Sequence, residues 1–376
     1  MKPSKKTIPV QPQAGTGEAP ETDLPSLSLD HGSLSLPAVS VDGYSLELLA
    51  TDGYLGDSVS RGAFNQILDA WRTVYRDMED GKDPFDTDKP TREISKTELA
   101  TLLDTQGSAG ATLHSAIEDY ARQMTHVVRR FMRQKSWHGV ERIVVGGGFQ
   151  NSDVGQRAIS RTAEMLAAAR VGVQMRTLRH HSDEGGLIGW LHVVPAELLS
   201  QYDAMLAVDI GGTNVRCGIV RTRANKAPDL SKATVLGRKK WGHAEDDSVT
   251  RREDLVGGIA DMLKKLVAKA KRRGISLAPV VGVSCPGLIA DDGAINGGTQ
   301  NLPGNWESTR FHLPRHLCEQ LPKIGGQLTQ VRLHNDAVVQ GLSEMPFMQD
   351  VRHWAVLTVG TGLGNASYTN RNTLRR

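Results

Sequence analysis

The sequence has 376 residues, of which 39% are hydrophobic and 23% charged, with a formal net charge of +3. Those proportions exclude a mostly disordered or fibrous chain, and no apolar run approaches the ~18 residues of a membrane-spanning helix. Lysines and arginines are scattered among 42 acidic residues, so no basic stripe marks a nucleic-acid binder. Neither nucleic acid nor a membrane is an expected partner.

Cys217, Cys285 and Cys318 are widely spaced with no C-x-x-C, which argues against a disulfide scaffold and against a structural zinc site. The first residues carry lysines but no apolar stretch after them, so no secretory signal is expected and a reducing cytoplasm is the default location. The unusual count is glycine, 39 residues, against a usual share of ~7%.

In chain order, residues 1–38 are rich in Pro, Ser, Thr and Gly and read as a largely disordered tail, with a strand expected near 33–39. Phe64, Ile67, Leu68, Trp71 and Val74 recur at helical spacing over 61–79. A loop with Asp-Pro and Lys-Pro pairs follows at 82–92, then a short helix at 95–103. Ile117, Tyr120, Met124, Val127, Val128 and Phe131 share one face of a long helix over 111–134. A strand at 142–145 runs into three glycines, and a helix at 156–169 and a strand at 171–177 continue an alternating α/β pattern. After RHHSDEGG, residues 187–199 are apolar and helix-like. Strands are expected at 205–209, 215–220, 233–239 and 280–284, with a helix over 254–273. A Gly/Pro/Asn-rich loop reaches Trp306. Near the C-terminus come a short strand with HND, a helix from Ala337, and two strands flanking GTGLG.

MLAVDIGGTNVRCGIV is a strand, a glycine turn and a second strand. It is therefore neither a P-loop nor a Rossmann fingerprint, since both need a helix after the glycines. Gly211 and Gly212 let backbone N–H groups approach an anion, and Thr213 adds a hydroxyl donor beside Asn214. Asp209, at the end of the first strand, suits Mg²⁺, which takes oxygen ligands from one or two carboxylates and substrate phosphates. By itself this is as readily an ordinary hairpin. LTVGTGLGN repeats the arrangement with Gly360, Thr361, Gly362 and Gly364, and RIVVGGGF ends a strand in Gly146, Gly147 and Gly148, where a flat base and ribose could lie on bare backbone. Asp336 follows Asn335 at a strand end and opens a helix; it is a candidate general base, or else a plain helix cap. The loop with Gly287, Thr299 and Asn301 offers amides and hydroxyls, which recognise sugar hydroxyls without adding charge.

DIGGTN, the PG…NLPG loop, HNDA, GTGLG and IVVGGG together resemble the bacterial sugar-kinase family that groups repressors, open reading frames and kinases (ROK), within the hexokinase/actin-like superfamily. The resemblance runs from about residue 55 to 371. It implies an α/β, two-domain actin-like ATPase (ribonuclease H-like) fold with a cleft between domains. It also implies ATP and Mg²⁺ as cofactors, a glucokinase-like transfer to a hexose-type sugar such as glucose or an N-acetylhexosamine, and a possible homodimer. On this resemblance Asp336 is the catalytic base. Gly287, Thr299, Asn301, Asn335 and Asp336 hold the sugar, and Asp209 holds the metal. Gly211, Gly212, Thr213, Asn214, Gly360, Thr361, Gly362 and Gly364 cradle phosphates, with Gly146, Gly147 and Gly148 on the adenosine side.

The motif order departs from the family, in which the DxGGT hairpin comes first and the GGG strand and GLIGA-type helix come last. Here RIVVGGGF and DEGGLIGWL precede DIGGTN, as in a circular permutation closed by 192–204. The expected division is a tail at 1–38, a large domain from 39–182 with 346–376, and a small domain at 183–345. A strand from residues 33–48 should then lie beside the GTGLG hairpin. The family's Glu-x-x-His segment is missing: His31 has Ser28 three residues earlier. His31 is thus a weak sugar contact, zinc is not expected, and His180 and His181 read as solvated loop residues. The rival reading is a sugar-binding sensor or pseudokinase of the same fold.

Overall fold

The motifs lie at strand ends, and strand pairing decides which of them meet. The computed structural model describes residues 30–51 and 53–371; the expected disordered tail lies, up to residue 29, outside them. One sheet has the order β1-β14-β13-β4-β5, built from β1 (Val39–Tyr44), β4 (Arg142–Gly146), β5 (Gln174–Thr177), β13 (His353–Val359) and β14 (Leu363–Asn370). The other has the order β12-β9-β6-β7-β8, from β6 (Ala204–Ile210), β7 (Val215–Arg221), β8 (Thr234–Trp241), β9 (Leu277–Cys285) and β12 (Gln330–Asn335). Two small ladders, β2 (Leu49–Ala50) with β3 (Gly53–Tyr54) and β10 (Lys323–Ile324) with β11 (Gln327–Leu328), complete the strands described.

In the first sheet, β4 pairs parallel to β13 with Gly146 opposite Thr358. Segments some two hundred residues apart are thus neighbours, and the GGG turn sits beside the GTGLG hairpin. β1 pairs antiparallel to β14, Val39 opposite Asn370, which puts the strand from the N-terminal region next to that hairpin. In the second sheet the Asp209 end of β6 lies between Ser284 of β9 and Arg216 of β7.

Helices cover each sheet because each has an apolar stripe to bury. α1 (Arg61–Met78), α3 (Ser108–Phe131) and α4 (Asp153–Ala168) bury Phe64, Leu113, Met124 and Ile159 with Val145 and Leu357 of the first sheet. Ser60 caps α1, and a reciprocal Ser95–Glu98 capping box starts α2 (Lys96–Leu103). α7 (Arg252–Arg272) and α8 (Leu313–Gln320) bury Ile259, Leu263 and Leu317 against Val208 and Val283 of the second. A third apolar layer holds residues of both sheets, Val356 and Ala207 among them, around α5 (Ser182–Ile188) and α9 (Asp336–Leu342). These two short helices cross closely: just past the end of α5, a Cβ on Gly189 would lie 1.7 Å from the Val339 carbonyl oxygen. α5 packs on β6 and β7, and α9 on β13 and β14.

Three local expectations change. The apolar run at 187–199 is not one helix. α5 begins five residues earlier, a 3₁₀ turn covers Gly189–His192, and Pro195 precedes the short α6 (Ala196–Leu199). Residues 33–38 form turns with a bridge at Ser35, and the strand starts at Val39. His180 is not a free loop residue: its Nε2 is buried with no hydrogen-bond partner, and burial holds its pKa below the ordinary value.

Candidate active site

The two glycine hairpins, the GGG turn and the start of α9 open on one cavity of about 740 Å³. Its lining includes Gly147, Gly148, Asp209, Gly211, Gly212, Thr213, Gly287, Thr299, Asn301, Asn335, Asp336, Gly360, Thr361, Gly362 and Gly364. Gly146 and Asn214, also anticipated for the site, do not line it. Gly146 is buried inside β4, and the Asn214 side chain turns back to donate to the Thr213 hydroxyl at 2.9 Å.

Asp336 is the first residue of α9, where β12 ends at the cavity wall. Its Oδ1 accepts from the Ala337 N–H at 2.9 Å. Burial, and next the charge of Asp209, push its pKa up from 3.8 to about 7. Asn335, 1% exposed, is the cap of α9. It accepts from the N–H groups of Ala337 and Val338 and donates to the Gly287 carbonyl at 3.0 Å and the Ser45 hydroxyl at 3.1 Å. One amide therefore joins α9, the 287–304 loop and the segment after β1. Asn335→Ala should cost roughly 2–3 kcal/mol in urea unfolding, a lost cap plus a buried carbonyl left unpaired.

Asp209 is 8% exposed and is raised above its ordinary pKa mainly by burial, with Arg216 opposing. Arg216 bridges it at 3.5 Å and also binds Asp183 at the start of α5. Burial disfavours the charge on Asp183, yet Arg216 and Lys240 more than offset it and hold its pKa low. On the helix side there is no spare room, because a Cβ on Gly186 would lie 2.7 Å from the Asp209 carboxyl carbon.

The first hairpin is closed by Gly211 N–H donating to the Asn214 carbonyl at 3.0 Å, while His243 Nε2 holds the Gly211 carbonyl at 2.8 Å. The second is closed by Gly360 N–H donating to Gly362, and the first N–H of α1, from Arg61, reaches the Gly360 carbonyl at 2.9 Å. Gly147 has φ +82° and donates its N–H to Gln340 of α9 at 2.9 Å. Gly287 has φ +101°, and a Cβ there would lie 1.9 Å from the Gly297 carbonyl oxygen. Only glycine fits either place. Thr299, 5% exposed, donates its hydroxyl to Glu307 at 3.1 Å.

Ser45, Glu47, Ser182, Arg216, Gln340 and Asn365 also line the cavity and were not anticipated. Asn365 grips the backbone of Leu46 in both directions, at 3.1 and 3.0 Å, across 319 residues of sequence. No local pattern signals such a pair. His31 is not among the lining residues; its Nδ1 accepts from the Leu333 N–H at 3.0 Å. Among the described residues no group of three or more His, Cys, Asp or Glu could hold a metal ion, and no helix is long and apolar enough to cross a membrane.

Residues 205–375 match the ROK family. The matched segment contains both hairpins, the 287–304 loop and Asp336, while the GGG turn and α5 precede it. No curated protein sequence matches the chain. Similar solved structures include a candidate sugar kinase from Cytophaga hutchinsonii, at 20% identity and TM-score 0.33 over 45% of this chain and 48% of that one. A candidate N-acetylmannosamine kinase from Listeria monocytogenes matches at 22% identity and TM-score 0.32, over 46% and 49%. An exopolyphosphatase-like protein matches at 12% identity and TM-score 0.32, over 66% and 86%. The chain thus spans about half the length of the first two, and the likeness to the ROK family is the match over 205–375.

Proposed function

We propose that the chain is an ATP- and Mg²⁺-dependent kinase of a hexose-type sugar, glucose or an N-acetylhexosamine, with Asp336 as general base. The observation that carries this reading is a cavity-facing carboxylate with its pKa near 7, set opposite two glycine hairpins on the same cavity. A base poised near neutrality is matched to taking a hydroxyl proton as the phosphoryl group transfers.

In this mechanism Asn301 and Thr299 hold sugar hydroxyls and aim one at Asp336. Asn335, expected from the sequence as a sugar contact, has its amide committed to Ala337, Val338, Gly287 and Ser45 and positions Asp336 instead. The bare turns at Gly211–Thr213 and 360–362 offer N–H groups and two exposed threonine hydroxyls to phosphates. Gly147 and Gly148 leave flat space for adenosine. Asp209 fits a divalent cation as the single carboxylate supplied by the protein, since its buried charge is only partly offset by Arg216. When bound, Mg²⁺ neutralises phosphate charge. The fold is read as two actin-like domains, 39–182 with 346–376 and 183–345, in a circularly permuted order. The pairings of β4 with β13 and β1 with β14 support that order.

ADP release, measured across a panel of hexoses, hexosamines and N-acetylhexosamines, tests the proposal. At least one sugar should stimulate ADP release well above the sugar-free rate. Tight sugar binding with no turnover on the whole panel would instead select a sugar sensor.

A further inference from the structure

Gln340 lines the cavity, is 8% exposed and has no part in the mechanism above. It lies four residues after Asp336 on α9, so the two side chains leave the same face of the helix one turn apart. Its amide is used at both ends. Oε1 accepts from the Gly147 N–H at 2.9 Å, and Nε2 donates to the Ser182 carbonyl at 3.3 Å. The amide can sit only this way round, because a backbone N–H can only donate and a carbonyl can only accept. The first bond grips the GGG turn where β4 ends, and the second grips the first residue of α5, the helix packed on β6 and β7. There is no slack on either side. A Cβ on Gly146 would run into the Gln340 amide oxygen, and one on Gly185 of α5 would lie 3.3 Å from the Gln340 Cγ. The helix is itself held, since the Tyr368 hydroxyl of β14 donates to the Val338 carbonyl at 2.8 Å.

We propose, resting on the kinase reading above, that Gln340 is a positioning residue that fixes the GGG turn, and with it the adenosine end of the donor, at a set distance from Asp336. One helix then carries the base at its first residue and the grip on the donor's turn four residues later. Transfer needs donor and base in register, and a misplacement of about 1 Å can cost about 10²-fold in rate. Gln340 touches neither reacting group in this arrangement; it acts through the backbone of Gly147, while the bond to Ser182 orients its amide. Only a neutral amide makes both bonds. A carboxylate keeps the first and loses the second, and a methionine of similar length loses both.

The test compares the full chain with Gln340→Met and Gln340→Glu at pH 8, using the sugar that best stimulates ADP release. In Gln340→Met, kcat should fall roughly ten- to a hundredfold with the KM for sugar unchanged. Gln340→Glu still accepts from Gly147, so its kcat should stay within about threefold of the parent's, the scale of the one weak bond lost. It should nevertheless melt at the lower temperature of the two variants, because its buried carboxylate faces the Ser182 carbonyl. A side chain that only filled space would give rates in the order of the melting temperatures, which is the opposite order. Adenosine calorimetry reads the same bond without sugar or turnover: affinity should drop roughly three- to tenfold in Gln340→Met, as for one lost hydrogen bond, and hold in Gln340→Glu. Parent-like kcat and adenosine affinity in Gln340→Met, or a lower kcat in Gln340→Glu than in Gln340→Met, would overturn the positioning role and leave the kinase reading intact. A chain that phosphorylates no sugar, yet shows this order for adenosine, would sink the kinase reading and leave Gln340 as the residue that sets the turn.

Discussion

Asp336→Asn should lose about 10²–10⁴-fold in kcat while melting at a higher temperature than the parent above pH 7. The two effects have one cause. Asp336 is ionised in a place that disfavours its charge, because burial and the neighbouring Asp209 raise its pKa from 3.8 to about 7. Asparagine keeps the size and can still accept from the Ala337 N–H, but it cannot take a proton. Sugar binding should therefore survive. The sign for stability follows from linkage: a carboxyl whose folded pKa is raised binds its proton more tightly in the folded state. The parent is then penalised fully above about pH 7, and the penalty fades as pH falls toward the unfolded value near 4. At ~1.4 kcal/mol per pKa unit the gap at pH 8 is on the order of a few kcal/mol. Calorimetric melting at pH 8 and pH 4.5 checks it: the variant's advantage should be large in the first and small in the second. The parent's kcat/KM should likewise fall about tenfold per pH unit below about 7, as the base becomes protonated. Normal turnover by Asp336→Asn would remove this residue from the chemistry.

The parts of the site that were readable in the sequence are those that need only neighbours along the chain. A hairpin such as DIGGTN or GTGLG states its strand, turn and return within about fifteen residues, and two short, largely buried strands with bare glycines between them are a local pattern. Asp336 was visible for the same reason, as a strand end opening a helix. What stayed hidden was made by distant pairing. Asn365 acts on Leu46 and Asn335 on Ser45, each across roughly three hundred residues. Arg216 looked like an ordinary strand residue until Asp183 arrived from α5. The 187–199 run misled because Leu187, Ile188, Trp190, Leu191, Val193 and Val194 are all buried. With no polar face, periodicity cannot mark where a helix stops, and the chain turns there by 3₁₀ geometry before Pro195. The motif order, by contrast, led to the expectation that the 142–145 strand and the GTGLG hairpin lie together, and in the structure β4 and β13 are neighbours in the first sheet.

Two glycines of the cavity should respond to substitution in opposite ways, although both stand in candidate phosphate or nucleotide turns. A Cβ on Gly362 would meet nothing within 4 Å, and its φ is not in the left-handed region. Gly362→Val should therefore fold normally, with a melting temperature within a few degrees of the parent's. Its side chain would stand where the hairpin meets the donor, so the KM for ATP should rise by roughly ten- to a hundredfold, the scale of a lost set of charge-assisted backbone contacts. Sugar affinity should not move. Gly147 is the reverse case. Its φ is +82°, and a Cβ there would lie 2.3 Å from the Val359 carbonyl oxygen and 2.7 Å from the Val359 nitrogen. Neither atom can withdraw, because Val359 ends β13, which is held between β14 and β4. Strain at a left-handed position costs ~1–3 kcal/mol, and overpacking against fixed backbone adds ~1–3 kcal/mol. Even Gly147→Ala should then lower the melting temperature by on the order of 5–10 °C and weaken ATP and sugar together, through loss of the sheet edge rather than of one contact. Melting curves alongside calorimetry for both ligands separate the two. If Gly362→Val also melted early and lost sugar as much as ATP, the second hairpin would be holding the fold rather than the donor.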